Sequence, residues 1–366
     1  MNDGRLHILV VKTGGLGDVV RTSYFARALR EKWGDGLRLS WLTAAAAAPL
    51  LRFNPYIDDP WTSFAEARPY CYDRVYSLDD ERDVLEGVTS LDFRTITGAF
   101  LREGTPSYTD DAAGWFDMGL LSRFGKARAD ELKKLNTRGH AEIFSEIFGV
   151  DGVEPHFFGN PRLERWAAHL LAEHSRVIGI NPFAGGRWPS KELRLSELNT
   201  LIDAIVGGES VFGPKCTVVL FGAGEDHHRN KALAAARPGA RILVPNTDDS
   251  VLRLAALIGR LHTMITSDSL AMHLAIAQHV PTVAFFAPTS AAEIDDFGLV
   301  RKVVSTAPDY CSYRKDADNT SLTACRLLEQ LRLLSAVGQV TAGGSDCGAR
   351  SVSVNSGAQR VFSRGH

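Results

Sequence analysis

Apolar and polar positions alternate along this chain in the order expected of an α/β protein. Residues 6–11 form a continuous apolar run, which is typical of a strand covered on both faces in a parallel sheet. A glycine-rich turn at 13–18 follows, then a helical pattern from about 19 to 33 and a strand pattern at 37–42. Strand, tight turn, helix and strand predict a βαβ unit with a right-handed crossover, and a further short strand is expected near 75–76.

The same alternation restarts near residue 176. We predict strands at 177–180, 217–221, 241–244, 263–265 and 282–286, and helices at 163–174, 195–205, 227–235, 250–261 and 270–278. Residues 95–150 are less regular, with helical patterns at 127–135 and 141–148. A last helix is predicted at 324–334, followed by a Gly/Ser-rich stretch that we expect to be disordered.

This pattern predicts a chain of two Rossmann-like, doubly wound α/β domains. We expect an N-terminal domain at 1–160, a second domain at 176–323, a C-terminal helix at 324–340 and a disordered tail at 341–366. Ligands of open α/β sheets bind at the carboxyl ends of the strands, so two such domains predict a cleft between two sets of strand ends.

Composition narrows the class of protein. The 366 residues are 45% hydrophobic and 23% charged with a formal net charge of -2, which disfavours a nucleic-acid-binding protein. No apolar run approaches the ~18 residues that cross a bilayer, and residues 6–11 are too few for a signal peptide. The five cysteines form no CxxC pair, which favours a reducing, cytoplasmic setting. Peripheral contact with the inner face of a membrane remains compatible with this composition.

Asp18 ends the N-terminal glycine turn. Gly14, Gly15 and Gly17 permit a sharp bend and close approach to a ligand. The dinucleotide fingerprint GxGxxG fails, because Val20 stands where its third glycine is required. Two interpretations of Asp18 are equally supported at this point: an N-capping residue, and a general base facing the interdomain cleft.

Two strand-end turns of the second half carry polar and charged residues. In the loop at 181–191, Gly185 and Gly186 suit close approach to a ligand, while Arg187 and Lys191 bring positive charge for a phosphate; solvated surface cations are the alternative. In the turn at 221–226, Glu225, with Asp226 as second choice, is a candidate for ribose hydroxyls. Capping of the next helix is weighed equally there.

A third turn opens the helix predicted at 270–278. Free backbone N–H groups at that helix start favour an anion such as a diphosphate, and Ser267 and Ser269 add hydroxyl donors. Asp268 beside a phosphate site is electrostatically unusual, so we expect it to bind sugar hydroxyls. His273 lies one turn further on; a buried core histidine is the favoured interpretation and a catalytic role the alternative.

Taken together, these motifs resemble glycosyltransferase family 9, which includes the ADP-heptose:lipopolysaccharide heptosyltransferases. The resemblance is carried by GGLGDVVRT (14–22), FNPYID (53–58), the loop ending in Lys191, SDSLAMHLA (267–275) and FFAPTSAAEI (285–294). It implies a GT-B fold with the acceptor on the first domain and the nucleotide-sugar donor on the second. It also implies inverting transfer that needs neither metal nor cofactor.

By position in these motifs, the resemblance implies a role for each matching residue. Asp18 would be the base, Lys191 the phosphate contact, Glu225 the ribose contact, Asp268 the sugar contact, and Ser269 part of the diphosphate site. Leu270 departs from the family, because many members carry glycine there, and its side chain is expected to narrow the donor pocket.

The sequence therefore predicts a single displacement in which a sugar, heptose from ADP-heptose in the first instance, passes to a glycan or lipopolysaccharide-type acceptor. Another nucleotide sugar or a protein acceptor is the alternative within this class. Alternatives of other classes are a non-catalytic sugar-nucleotide-binding protein, an epimerase and a nucleotide-dependent oxidoreductase. No motif identifies the acceptor or the oligomeric state.

Overall fold

The computed structural model describes residues 4–184, 186, 188–208 and 216–342. Two six-stranded sheets form its framework. The first contains β1 (Leu6–Val11), β2 (Leu37–Leu42), β3 (Asp59–Trp61), β4 (Cys71–Ser77), β5 (Asp92–Arg102) and β6 (Thr105–Tyr108). The second contains β7 (Val177–Asn181), β8 (Thr217–Leu220), β9 (Ile242–Leu243), β10 (Thr263–Ser267), β11 (Thr282–Phe286) and β12 (Val300–Val304).

Thirteen helices lie in the described part of the chain. Those of the first half are α1 (Leu16–Trp33), α2 (Ala48–Leu51), α3 (Phe64–Ala67), α4 (Arg82–Thr89), α5 (Ala113–Phe116), α6 (Lys126–Leu135) and α7 (His140–Phe148). Those of the second are α8 (Pro161–Leu170), α9 (Leu195–Val206), α10 (Glu225–Ala235), α11 (Val251–Ile258), α12 (Leu270–Ala277) and α13 (Ala324–Ala342).

Both sheets have the same strand order. The first runs β3-β2-β1-β4-β5-β6 and the second β9-β8-β7-β10-β11-β12, and every pair is parallel except β5 with β6. In this doubly wound arrangement the chain reverses direction across the sheet between β1 and β4, and again between β7 and β10. Ligands bind at such switch points because loops diverge there and leave a crevice. The expected architecture of two Rossmann-like α/β units is confirmed.

Apolar side chains cover both faces of each sheet, as the continuous apolar runs predict. A further cluster joins the two halves: Val20 and Tyr24 of α1 belong to the same buried cluster as Ala271 and Leu274 of α12. This helix pair fixes the start of α1 beside the start of α12, which is what brings the sequence motifs of the two halves together.

Strands 6–11, 37–42 and 282–286 are confirmed at both ends, and the other predicted elements are present with shifted ends. The predicted helix 163–174 is Pro161–Leu170, the helix 250–261 is Val251–Ile258, and the strand 241–244 shortens to Ile242–Leu243. The hairpin β5–β6 was missed in the stretch judged irregular. The tail expected to be disordered from 341 lies, beyond Ala342, outside the described residues.

Candidate active site

The first switch point is held by a buried carboxylate. Asp79, after β4, forms an ion pair with Lys12 at the end of β1 and accepts hydrogen bonds from the Thr13 backbone N–H and, at 2.8 Å, from its hydroxyl. Asp79 is 3% exposed, and the paired Lys12 satisfies its charge. Burial lowers the pKa of Lys12, but the nearby Asp79 and Asp18 carboxylates outweigh it and raise the pKa overall. These contacts therefore hold the first residues of the glycine turn in place after β1.

Asp18 lies in the first turn of α1, whose N-cap is Gly15 with φ +59°. The N-capping interpretation of Asp18 is therefore wrong, because a glycine occupies the cap. Gly15 needs this left-handed backbone and also needs to lack a side chain, since a Cβ there would lie 2.3 Å from Asp18 Oδ2. The Asp18 side chain is 39% exposed, and its carboxylate forms an ion pair with the Arg21 guanidinium at 2.7 Å.

The charges around Asp18 keep it ionised. Its burial in the cleft raises the pKa of the carboxyl, but the positive charges of Arg21, Lys12 and His273 outweigh this and hold the pKa below its ordinary value. The positive end of the helix dipole acts in the same direction. An ionised carboxylate can accept a proton, as the general-base interpretation requires.

The second switch point lies at the start of α12. Ser269 is the N-cap residue, but its hydroxyl does not cap the helix; it is 3.0 Å from the Thr266 hydroxyl and accepts from the Asn181 amide at 3.3 Å. These contacts tie the end of β7 to the end of β10. Ser269 and Leu270, at the N-terminus of α12, line the cleft, and a helix N-terminus favours an anion.

Lys191 and Asp268 form the central ion pair of the cleft. The Lys191 ammonium donates to the Asp268 carboxylate and to its backbone carbonyl, each at 3.0 Å. On the other side of Asp268, the Nε2 atom of His273 lies 3.7 Å from Oδ1. Burial raises the pKa of Asp268, yet Lys191 and His273 together hold it well below its ordinary value. Asp268 is therefore a fixed anion beside the start of α12.

His273 is buried and also borders the cleft. Its residue exposure is 5%, in agreement with the favoured core interpretation, but its side chain also lines the cleft. Its backbone carbonyl accepts from the Tyr24 hydroxyl of α1 at 3.4 Å. The interpretation as a core residue alone is thus incomplete.

Sequence reasoning missed a group of residues beside Asp18 in the cleft. Glu293 lies in the quoted segment 285–294 but drew no attention; it is 8% exposed and accepts from the Tyr313 hydroxyl at 3.0 Å. The ammonium of Lys133 lies 4.1 Å from the centre of the Tyr313 ring. Trp115, in the stretch judged irregular, also lines this space. The one local signal in the sequence was the i,i+3 spacing of Asp18 and Arg21, which allows these two side chains to pair on one face of α1.

A largely apolar pocket adjoins the cleft at Lys191. Phe183, Trp188, Val251 and Leu254 line it. Leu270 lines it as well, so its side chain does occupy space in this region.

The carboxylates of this pocket are Asp226, Asp248 and Asp268, whereas Glu225 is exposed in the first turn of α10 and is not among the lining residues. Asp226 is paired with Arg229 at 3.0 Å, and Asp248 accepts from the Gly224 backbone N–H at 3.0 Å. Asp248, which sequence reasoning passed over, therefore lines this pocket, whereas the expected Glu225 does not.

The remaining predicted residues divide into three groups. Gly14, Gly15 and Gly17 lie at the cleft, and Gly17 packs against His273. Gly186 is exposed with φ +69°, while Gly185 and Arg187 lie outside the described residues. Ser267 is 1% exposed with an unpartnered hydroxyl and does not line the cleft, so only Ser269 of the two serines faces the anion site.

Within the described residues, no group of three or more His, Cys, Asp or Glu side chains has the geometry to hold a metal ion. No helix in the described part of the chain is both long and apolar enough to span a bilayer.

Three solved structures show the same fold. ADP-heptose lipopolysaccharide heptosyltransferase II of Escherichia coli has a TM-score of 0.64 and 18% identity, covering 91% of this chain and 99% of its own. A family 9 glycosyl transferase from Veillonella parvula has a TM-score of 0.65 and 17% identity, covering 90% and 99%. Escherichia coli heptosyltransferase WaaC with ADP has a TM-score of 0.58 and 15% identity, covering 92% and 99%.

No curated protein matches this chain in sequence. A family model does: glycosyltransferase family 9 (heptosyltransferase) matches residues 192–322, the part that contains α10, β10, α12 and the loop with Glu293. Asp18 and the first sheet lie outside that match. The resemblance predicted from the motifs is confirmed for the second half of the chain, which is similar to glycosyltransferase family 9 (heptosyltransferase).

Proposed function

We propose that the chain transfers a sugar from a nucleotide sugar to an acceptor hydroxyl by a single displacement in the cleft between its two sheets. The observation that carries this proposal is the convergence of two helix starts on one cleft. The start of α1 brings Asp18, and the start of α12 brings Ser269 and the Lys191–Asp268 pair. A proton acceptor and an anion site thus border a single space.

The donor side suits a nucleoside diphosphate. The apolar pocket beside Phe183 and Leu254 suits a base, and the start of α12 with Lys191 suits the diphosphate. As the bond to the anomeric carbon breaks, negative charge grows on the diphosphate, and preorganised N–H donors with an ammonium stabilise it most at that moment. WaaC was solved with ADP, which makes ADP-heptose the first donor to test.

Asp18 would act from the opposite side. Its carboxylate accepts the proton of the acceptor hydroxyl as the oxygen attacks the anomeric carbon, so the configuration inverts. Asp268 cannot replace it, because Lys191 and His273 hold its charge. A fixed carboxylate flanked by two donors instead suits sugar hydroxyls. No step in this scheme calls on a metal ion or cofactor.

The test is transfer by the Asp18→Asn variant. We expect transfer from ADP-heptose to fall by a factor of about 10²–10⁴, as when a general base is removed. ADP should still raise the melting temperature, because binding to the folded state stabilises it. The matched control is Asp35→Asn, an exposed aspartate in the turn after α1. Wild-type turnover by Asp18→Asn would overturn the base assignment, and absence of any nucleotide-induced shift would overturn the donor site.

A further inference from the structure

A second cavity adjoins Asp18 on the side away from Lys191. It shares Gly15, Asp18, Trp115, Lys133 and Glu293 with the central cleft. With the donor on the Lys191 side of Asp18, as the proposed function has it, this cavity is the space left for an acceptor whose hydroxyl reaches Asp18. The chemistry of its walls therefore selects the acceptor.

Carboxylates outnumber cations on these walls. Among the described lining residues the acids are Asp18, Asp79, Asp80, Glu81 and Glu293, and the cations are Lys12 and Lys133. Lys12 forms an ion pair with Asp79, and Asp18 forms an ion pair with Arg21, so the two charges of each pair offset each other. The described charged side chains that remain in this wall are three acids and one cation without a carboxylate partner. The acids are Asp80, Glu81 and Glu293, and the cation is Lys133.

The other walls are aromatic and apolar. Phe116, Met118 and Leu120 line the cavity together with the half-buried indole of Trp115. Trp115 is held by edge contacts with Phe144 at 5.0 Å and His140 at 5.7 Å between ring centres. A rigid aromatic wall opposite carboxylates suits a sugar ring, which presents C–H faces to the one and donates hydroxyls to the other.

Two buried polar groups line the central cleft and are able to bond a ligand. The Thr289 hydroxyl is buried, with residue exposure of 6%, has no hydrogen-bond partner and lines the central cleft. The Glu293 carboxyl, equally buried, has one oxygen bonded to Tyr313. Burial outweighs the nearby Arg21 and Lys133 charges and raises the pKa of Glu293 above its ordinary value. An unpaired buried hydroxyl gains free energy when a ligand satisfies it.

We infer that the acceptor presents an uncharged sugar ring at Asp18, and that this cavity discriminates against sugars carrying a carboxylate or phosphate beside the attacking hydroxyl. The inference rests on the proposed function and narrows its acceptor. An anionic sugar would meet three carboxylates, whereas Lys133 is the one described cation lining this cavity that is not paired with a carboxylate and Arg21, near Glu293, is already paired with Asp18. Like charges placed together at an interface are strongly unfavourable.

Matched pairs of simple glycosides test this by binding, without turnover. Methyl β-glucoside is compared with methyl β-glucuronide, and methyl β-galactoside with methyl β-galacturonide, by saturation-transfer NMR titration of the full chain at pH 7 with ADP present. Each pair differs only at C6. We expect the neutral member to bind at least about tenfold more tightly, a difference of ~1.4 kcal/mol. Equal or tighter binding of the uronides, or no binding of any of the four at millimolar concentration, would overturn the inference.

Two variants test whether the wall carboxylates cause the preference for neutral sugars over uronides. Asp80→Asn with Glu81→Gln removes two wall carboxylates without touching Asp18, and should bring the uronides closer to the neutral sugars. Trp115→Ala should weaken neutral sugars and uronides alike. If the ratio of neutral-glycoside affinity to uronide affinity is unchanged in the double variant, the electrostatic explanation is overturned. Failure of the donor site would be visible separately, as absence of an ADP-induced thermal shift with glycoside binding intact.

Discussion

Gly17, at the start of α1, packs directly against the imidazole of His273 in α12. A Cβ at position 17 would lie 2.4 Å from Cδ2 and 3.2 Å from Nε2 of that ring. Since His273 in turn faces Asp268, this contact between the two halves sets how closely the wall with Asp18 and the wall with Asp268 approach each other. The glycine is thus required by packing across the cleft, in addition to its place in a tight turn.

Gly17→Ala should therefore damage the junction of the two halves. The added methyl group displaces the His273 ring, and overpacking of this kind costs about 1–3 kcal/mol. We expect the variant to lose that much free energy of unfolding in urea, with a larger fractional loss of transfer. Gly36→Ala is the control, since nothing lies within 4 Å of a Cβ there. Equal effects of the two substitutions would contradict the packing explanation.

Arg21 should set the pH range in which Asp18 acts. Its charge is the largest of those that hold the pKa of Asp18 below its ordinary value against the effect of burial. Arg21→Met removes that charge while keeping a long apolar side chain, so the pKa of Asp18 rises. The acid limb of the transfer rate should then move to higher pH. Arg27→Met, on the same helix and paired with Glu31, should leave the profile in place; superimposable profiles for Arg21→Met and wild type would refute the assignment.

The Lys191–Asp268 pair should stabilise the fold in a pH-dependent way. The pKa of Asp268 is held below its ordinary value of 3.8, so the pair stabilises the folded state above that pH. The stabilisation is lost as the pH falls from there towards the native pKa. Lys191→Met leaves a poorly solvated carboxylate and should cost about 1–3 kcal/mol at pH 7. Urea unfolding at pH 7, 5 and 3 measures it.

The difference between wild type and Lys191→Met should shrink at pH 3. Lys126→Met is the matched control, because Lys126 pairs with Asp130 on an exposed helix face. A Lys191→Met penalty that is the same at all three pH values would contradict the ionic origin of the effect.

Asp295 should hold the start of α7 to the second half of the chain. Its carboxylate accepts from the Ala141 backbone N–H at 2.7 Å, and the Glu293 carbonyl accepts from the His140 N–H at 3.0 Å. Gly139 is required beside it, because a Cβ there would lie 2.0 Å from Asp295 Oδ1. Asp295→Ala removes a capping acceptor and should cost about 1 kcal/mol of unfolding free energy, with faster hydrogen exchange in α7.

Asp249→Ala is the control for Asp295, since it breaks only an exposed pair with Arg253. If both variants were equally stable, with α7 exchange unchanged, the contact between the halves would carry no energy.

The elements that were predicted well are those with a local signal. The apolar runs of β1 and β11, the alternating pattern of β2 and the amphipathic pattern of α9 depend on neighbours within one turn or one strand. The hairpin β5–β6 lacked such a signal. Only the last four residues of β5 are paired with β6, and the outer face of β5 is polar. The helix that carries Trp115 is four residues long and is stabilised by packing on α7 instead of by its own pattern.

The candidate site divides in the same way. Asp18, Lys191, Asp268 and Ser269 each follow a strand at a turn, and parallel strands end on one edge of a sheet, so local order along the chain was enough to nominate them. Whether Asp18 capped its helix, and which acid faced the donor pocket, depended on the exact turn: Gly15 took the cap, and Asp248 rather than Glu225 faced the pocket.

Contacts between residues far apart in the chain lay beyond any local pattern. Gly17 against His273, Lys12 with Asp79, and Glu293 beside Arg21 and Lys133 arise because α1 packs on α12 and the loop after β11 folds over the first half. Sequence order specifies two doubly wound sheets, since hydrophobic periodicity is a short-range property. The charge and shape of the cleft between them depend on long-range packing, and only the tertiary structure decides them.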